Sequence, residues 1–210
     1  MDQKKSAEEN RQIIGLFGVP MFEKDFVYKE KNDLIEFAKK QGGRKVSNIG
    51  GFQSNDFIRS QNPIKDKFLN ELSKHMGEAV QAYGPGKFKL ICTAIWVNIN
   101  YPQSWNITHI HPQTDFTSTV YFDVPLDSGD LIIESVDNVR NYQRFYCIPL
   151  NIDSIFTRLK YVHTPKENSL IILPGHLPHS VSVNNSNKER ISVSANFSVE
   201  RESETQTNNS

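Results

Sequence analysis

Cysteine is nearly absent: Cys92 and Cys147 are the only two in 210 residues. Two thiols so far apart form neither a disulfide framework nor a cysteine zinc site, so the chemistry of this chain does not come from sulfur. Both read as small buried apolar residues rather than nucleophiles. An excess of one charge is missing too, since 24 Lys and Arg balance 24 Asp and Glu. A nucleic-acid or membrane-surface partner would need a basic face, which this balance does not supply, so neither is expected. No apolar run approaches the ~18 residues of a membrane span. The opening MDQKKSAEENRQ has no apolar segment behind a basic start, so a secretory signal is not expected and a cytoplasmic location is.

Aromatic residues, by contrast, are plentiful. Thirteen Phe, 7 Tyr and 2 Trp provide bulky core material although hydrophobic residues make up only 37% of the chain. Residues 1–12 and 200–210 are polar and expected to be flexible, which leaves 13–199 as a single domain. Two helices are legible within 30–84. In 32–40, Leu34, Ile35, Phe37 and Ala38 recur at helical spacing, with Asn32 as the N-cap and Gly42-Gly43 as the stop. The second opens at Asn62-Pro63, keeps Ile64, Phe68, Leu72, Met76 and Val80 on one face, and ends at Gly84-Pro85-Gly86. From 87 onward the texture becomes β-branched and aromatic, and 87–101, 115–125, 129–135, 168–174, 180–183 and 190–199 read as strands. Helices followed by a long series of strands predict an α+β fold whose 87–199 half closes as a barrel or jelly roll.

Histidines cluster in the β half. His109 and His111 stand in Asn106-Ile107-Thr108-His109-Ile110-His111-Pro112. Residues i and i+2 of a strand share a face about 7 Å apart, so two such imidazoles can reach one metal ion. Alone, the pair fits two exposed strand histidines as well. His179 opens a later strand and offers a third imidazole, and Arg190 begins the strand after it. If 180–183 and 190–199 are neighbours in one barrel, Arg190 and Ser192 point inward together. A buried guanidinium needs a carboxylate or phosphate partner, and no buried acid is evident for it, so an acidic ligand is the candidate. The alternative is an exposed strand-edge arginine paired with Glu189 or Glu200. Asn98 and Tyr121 lie on strands expected to line the same cavity, either as ligand contacts or as core residues with satisfied tips. Trp96 and Phe122 read as packing. His176 reads as a solvent-facing turn residue and His75 as exposed on the long helix, while His163 has no metal-spaced neighbour. Gly50-Gly51 lacks the lysine and following helix of a phosphate-binding loop.

H-x-H, a distant histidine and R-x-S in that order resemble the non-haem Fe(II)/2-oxoglutarate oxygenases. More specifically, the chain resembles the bacterial and phage 2OG-Fe(II) oxygenase family that carries H-x-H-P. The likeness is carried by Leu16-Phe17-Gly18-Val19-Pro20, Ser47-Asn48-Ile49-Gly50-Gly51-Phe52-Gln53-Ser54, Trp96-Val97-Asn98 and His109-Ile110-His111-Pro112. It continues through Ser118-Thr119-Val120-Tyr121-Phe122, Leu173-Pro174 to His179, and Arg190-Ile191-Ser192-Val193-Ser194-Ala195-Asn196.

The resemblance implies a double-stranded β-helix (jelly-roll, cupin-like) core with the N-terminal helices packed on one side. It implies Fe(II), 2-oxoglutarate as co-substrate and O2, with three protein ligands leaving positions open on the metal. His109 and His179 would be two of the ligands. The third would be His111, next to His109 by period-two spacing, or Asp115 four residues on, with His111 behind it. Arg190 would take the distal carboxylate of 2-oxoglutarate, Ser192 would add a hydroxyl, and Tyr121 and Asn98 further contacts. No catalytic residue beyond the metal centre is implied. The activity would be hydroxylation of a small-molecule or peptidyl substrate with conversion of 2-oxoglutarate to succinate. Two other readings stay open: a cupin-like three-histidine metal dioxygenase that does not use 2-oxoglutarate, and a non-catalytic β-sandwich binding protein. A homodimer is compatible with exposed strand edges.

Overall fold

The computed structural model describes residues 18–84, 86–136 and 158–201. The expected flexible end 1–12, the tail beyond Arg201, Leu16, Phe17, Pro85 and Cys147 lie outside the described residues.

The first helix, α1 (Lys31–Lys40), starts one residue earlier than its sequence suggests. Asn32 lies inside it rather than capping it. Glu30 precedes the helix without a side-chain cap, and its carbonyl accepts the first bond from the Leu34 N–H at 3.1 Å. Gly42, at φ +81°, turns the chain away after the helix. The second helix, α2 (Pro63–Tyr83), follows expectation. The Asn62 side-chain oxygen accepts from the N–H groups of Ile64 and Lys65 at 2.9 and 3.1 Å, and Pro63 occupies the first position, where no intrahelical donor is lost. His75 is packed edge-on against Phe26 and only half-buried, so it is less exposed than expected.

The described residues hold twelve strands: β1 (Phe22–Asp25), β2 (Gly43–Arg44), β3 (Asn48–Ile49), β4 (Phe52–Ser54), β5 (Phe88–Asn100), β6 (Trp105–His109), β7 (Phe116–Asp123), β8 (Leu131–Glu134), β9 (Lys160–His163), β10 (Ser169–Pro174), β11 (His179–Val181) and β12 (Arg190–Arg201). Seven form a large sheet in the order β1-β10-β7-β12-β5-β4-β2, and five form a smaller one in the order β3-β6-β11-β8-β9. Pairing is antiparallel throughout. This is the expected jelly roll. The fold reaches two residues past 199, because Glu200 and Arg201 still pair with Lys89 and Phe88.

Alternation along β12 decides where each layer lies. Val193, Ala195 and Phe197 face one way and join Ile95, Val97, Val120, Phe122 and the buried faces of α1 and α2 in the main core. Both helices therefore cover one side of the large sheet. Arg190, Ser192, Ser194 and Asn196 alternate with them and are directed between the sheets, where a smaller apolar cluster around Leu131, Ile133, Ile171 and Leu173 fills part of the space. No helix among the described residues is long and apolar enough to cross a membrane.

One expected neighbour relationship is corrected. β11 and β12 are consecutive but not adjacent: β11 lies between β6 and β8, whereas β12 lies between β7 and β5. The chain crosses from one sheet to the other at a corner built on Asn184, whose Nδ2 donates to the carbonyls of Asn100 and Lys188, each at 2.8 Å. Arg190 and His179 thus come from opposite walls of one hollow rather than from neighbouring strands.

Candidate metal centre

In the small sheet His109 of β6 is the direct register partner of His179 of β11. Two residues further along β11, Val181 pairs with Asn106, three residues back along β6. The extra residue is a β-bulge, which leaves Ile107 and Thr108 exposed while Asn106 and His109 both turn inward. β6 ends at His109, and His111 lies just beyond it, held by a hydrogen bond from its own N–H to the Gly175 carbonyl at 2.9 Å. The ring centroids are 4.5 Å apart for His109 and His179, 5.0 Å for His111 and His179, and 5.3 Å for His109 and His111. One nitrogen of each lies within 4.8 Å of the others.

All three rings are oriented by the same device. His109 Nδ1 is 2.8 Å from the Ile107 carbonyl, His179 Nδ1 is 2.8 Å from the Leu177 carbonyl, and His111 Nδ1 is 2.6 Å from Asn196 Oδ1. Each partner is an acceptor, so each Nδ1 carries the proton and each Nε2 keeps its lone pair. His111 Nε2 is buried and has no partner among the described residues. Burial also keeps the rings neutral. It lowers the His109 pKa, takes His111 down to about 4 against the opposing hydrogen bond that His111 donates to Asn196, and takes His179 down to about 3. Three neutral nitrogens, one an orphaned buried lone pair, fit a divalent first-row metal ion.

Asp115 is not part of this group. It is exposed, and its Oδ2 accepts from the Val199 N–H at 2.8 Å. Among the described residues no carboxylate joins the three imidazoles.

Arg190 faces the same hollow from the large sheet and is 2% exposed. Its Nη1 donates to the Gly129 carbonyl and its Nη2 to Asn100 Oδ1, each at 3.0 Å, while Nε has no partner among the described residues. The guanidinium carbon lies 5.8 Å from the centroid of the Tyr121 ring. No carboxylate pairs with Arg190 among the described residues, which sets aside an exposed arginine paired with Glu189 or Glu200. Ser192, Tyr121 and Asn98 line the hollow as expected. Asn98 donates to Ser194 Oγ at 3.2 Å and keeps a buried, unpartnered Oδ1. Trp96, expected as packing alone, also lines it, with its ring 5.6 Å from that of His111. His176 is exposed, and His163 is buried 3.7 Å from Glu23.

Asn196, Asn100 and Asn106, given no site role from the sequence, complete the support. Asn196 holds His111. Asn100 holds Arg190, and its Nδ2 donates to Asn106 Oδ1 at 2.8 Å, whose Nδ2 in turn donates to Ser47 Oγ at 3.2 Å. The Ser47–Ser54 segment therefore borders the hollow, with Ser47 and Gln53 in its wall. Gly51 is dictated by close approach, since a Cβ there would stand 2.3 Å from the Ile99 carbonyl oxygen and 2.4 Å from Asn48 Oδ1.

No curated protein matches the chain. Several solved structures share its fold. A viral collagen prolyl hydroxylase from Paramecium Bursaria Chlorella virus-1, in its 2OG complex, is 16% identical with a TM-score of 0.55, over 84% of this chain and 94% of its own. A prolyl hydroxylase from Trichoplax adhaerens, in complex with a hypoxia inducible factor peptide fragment, is 13% identical with a TM-score of 0.57, over 84% and 82%. The non-heme alpha ketoglutarate dependent carbocyclase SnoK from nogalamycin biosynthesis is 11% identical with a TM-score of 0.58, over 90% and 85%. Residues 94–196 match the model of the family described as "Putative 2OG-Fe(II) oxygenase". That match takes in the stretch of chain that supplies His109, His111, His179, Arg190 and Asn196, which is thus similar to the 2OG-Fe(II) oxygenases.

Proposed function

We propose that this protein is an Fe(II)- and 2-oxoglutarate-dependent dioxygenase that hydroxylates a C–H bond of a small-molecule or peptidyl substrate, with conversion of 2-oxoglutarate to succinate and CO2. One observation carries the reading: the buried, partnerless Nε2 of His111 stands within reach of the free nitrogens of His109 and His179. Those three residues would hold the iron, and Asp115 would not. When bound, Fe(II) supplies the activation of O2 that oxidises the substrate, and three protein donors leave room on it for both co-substrates.

The remaining work falls to the chain. Arg190 has five N–H donors, of which the Gly129 carbonyl and Asn100 take two. The others, with the Ser192 hydroxyl, are available for the distal carboxylate of 2-oxoglutarate. Asn100 and Gly129 keep the fork in place before the ligand arrives, which lowers the ordering cost of binding. A third imidazole in place of a carboxylate makes the centre one charge unit more positive, and the 2-oxoglutarate dianion offsets this. Leu131, Val181 and Trp96 supply the apolar wall that limits water. Relatives in fold include one bound to a peptide fragment and one from nogalamycin biosynthesis, which supports leaving both substrate sizes in the proposal.

Anaerobic titration with Fe(II), followed by 2-oxoglutarate and air, tests the reading. It expects close to one metal per chain and succinate formed from 2-oxoglutarate. Metal uptake without 2-oxoglutarate binding would favour a three-histidine dioxygenase that leaves Arg190 without a task, and no metal uptake would reject the assignment.

A further inference from the structure

Arg44 is a second guanidinium without an acid. It stands on β2 in register with Gln53, which lines the hollow. The Arg44 guanidinium carbon lies 5.0 Å from the centroid of the Trp96 ring, and Trp96 in turn lies 5.6 Å from His111. Arg44 is half-buried, its Nε is enclosed without a partner, and no carboxylate pairs with it among the described residues. Asp56 acts on it only through space, and its Oδ1 accepts from the N–H groups of Ile58 and Ile95 at 3.0 and 2.9 Å.

A cation kept for stability looks different in this protein. Lys65 is 6% exposed, yet its Nζ donates to the carbonyls of Ile58 and Ser60 at 2.8 and 2.5 Å and pairs with Asp66 at 3.2 Å. Arg44 has no comparable set of acceptors, although removing a guanidinium from water carries a desolvation cost that acceptors must offset. The surroundings of the three histidines add no acid either, since among the described residues neither Asp nor Glu lines the hollow. A divalent ion, Arg190 and Arg44 together exceed the charge of one 2-oxoglutarate dianion by two units.

The two guanidiniums are separated. Arg190 is in register with Asn100, whereas Trp96, under Arg44, lies four residues back along β5 and in register with Ser194. That spacing corresponds to about 13 Å of strand, so one small dianion at Arg190 leaves Arg44 unserved.

We propose that Arg44 receives an oxoanion, a carboxylate or a phosphate, carried by the primary substrate, so that this enzyme oxidises an anionic molecule whose charged group sits over Trp96 beside the three histidines. The inference rests on the oxygenase reading of the hollow and names the substrate class that the reading leaves open. The fork of Arg44 fits either oxoanion through paired N–H donors, and the flat Trp96 ring fixes the plane of that fork.

The test uses the full chain loaded with Zn(II) and 2-oxoglutarate, with uptake of each measured separately by calorimetry. The Trp96 indole N–H signal in ¹H–¹⁵N spectra is then followed as benzoate, phenyl phosphate or benzyl alcohol is added. The expected result is a saturable shift with at least one anion and none with the neutral alcohol, the stronger anion telling carboxylate from phosphate. Arg44→Gln should weaken that anion about tenfold or more and Arg44→Lys less, both retaining Zn(II) and 2-oxoglutarate affinity. An equal response to benzyl alcohol, an unchanged anion affinity in Arg44→Gln, or silence toward both anions while Zn(II) and 2-oxoglutarate bind would overturn the proposal. Failure of Zn(II) or 2-oxoglutarate to bind would instead bring down the oxygenase reading, and the same titration of the metal-free chain still judges Arg44.

Discussion

His111 and Asn196 are joined by a 2.6 Å contact between Nδ1 and Oδ1 that links the end of the small sheet to the central strand of the large one. Asn196 accepts there, so His111 presents Nε2 inward and cannot rotate without losing its partner. Acceptors behind a metal-binding histidine typically contribute ten- to hundredfold in affinity. Asn196→Ala should therefore weaken Co(II) binding by about that factor, whereas Asn196→Asp, which keeps the acceptor, should restore it. Equal Co(II) affinity in all three proteins, read from the cobalt absorption bands, would contradict a positioning role.

Arg190→Lys preserves the charge but not the fork. A lysine presents a point charge and loses paired recognition of a carboxylate, so 2-oxoglutarate affinity should fall by about tenfold or more. Metal uptake should be unaffected, because Arg190 makes no contact with the three imidazoles. Calorimetry of 2-oxoglutarate into the Co(II)-loaded variant checks this, and unaltered affinity would place the co-substrate elsewhere.

Alkaline pH offers a separate check on the core. Burial pushes the Cys92 thiol up to about 12, above the ~8.5 of a free thiol. The folded state favours the protonated form, so this contribution to stability is complete below the unfolded pKa and is lost as pH rises from there through 12. The phenols of Tyr28 and Tyr83, also pushed up to about 12 by burial, act in the same sense starting near pH 10. Thermal stability should drop between pH 9 and 11. At pH 9 in a Cys147→Ser background, iodoacetamide should label Cys92 at least about tenfold more slowly in the native protein than in urea. Rapid native labelling would show that the thiol is not shielded.

Two glycines predict opposite responses to one methyl group. Gly77 lies inside α2, where an added Cβ meets nothing nearer than Leu90 Cδ1 at 4.0 Å, so Gly77→Ala should stabilise by about 0.5–1 kcal/mol. Gly51→Ala drives a methyl against the Ile99 carbonyl and Asn48 and should destabilise by about 1–3 kcal/mol. Urea unfolding of both variants checks the signs, and a neutral Gly51→Ala would mean that the loop yields more readily than its contacts suggest.

Legibility in the sequence followed the range of the forces involved. α2 could be read because its cap, its proline and its apolar face are all local, and β5, β7, β10 and β12 because they are long and rich in β-branched and aromatic residues. β1 through β4 have two to four residues each and owe their existence to partners far along the chain, so no local pattern announces them. The β11–β12 relationship is not legible because closeness in sequence suggests a hairpin, while the corner at Asn184 sends the second strand to the other sheet. His109, His111, His179 and Arg190 could be singled out by type and order. Asn196 had a usable signal, since Arg190, Ser192, Ser194 and Asn196 form a polar row at every second position of a strand whose other face is apolar. Nothing in the two-residue strand around Arg44 marks it; only its seat on Trp96 does.

The bulge in β6 has a consequence for how the strand can evolve. In an unbroken pleat, positions 106 and 109 are in opposite phase, one visible from inside and one from outside. The half-step supplied by the additional residue lets a single short segment serve both ends of the chamber, steadying Arg190 through Asn106 and Asn100 while offering His109 to the cation. Flattening the bulge without shortening the strand would force these two duties onto different sides, whereas excising Ile107 or Thr108 along with it would return both to one side, so bulge and length can change only together even though both side chains lie in solvent.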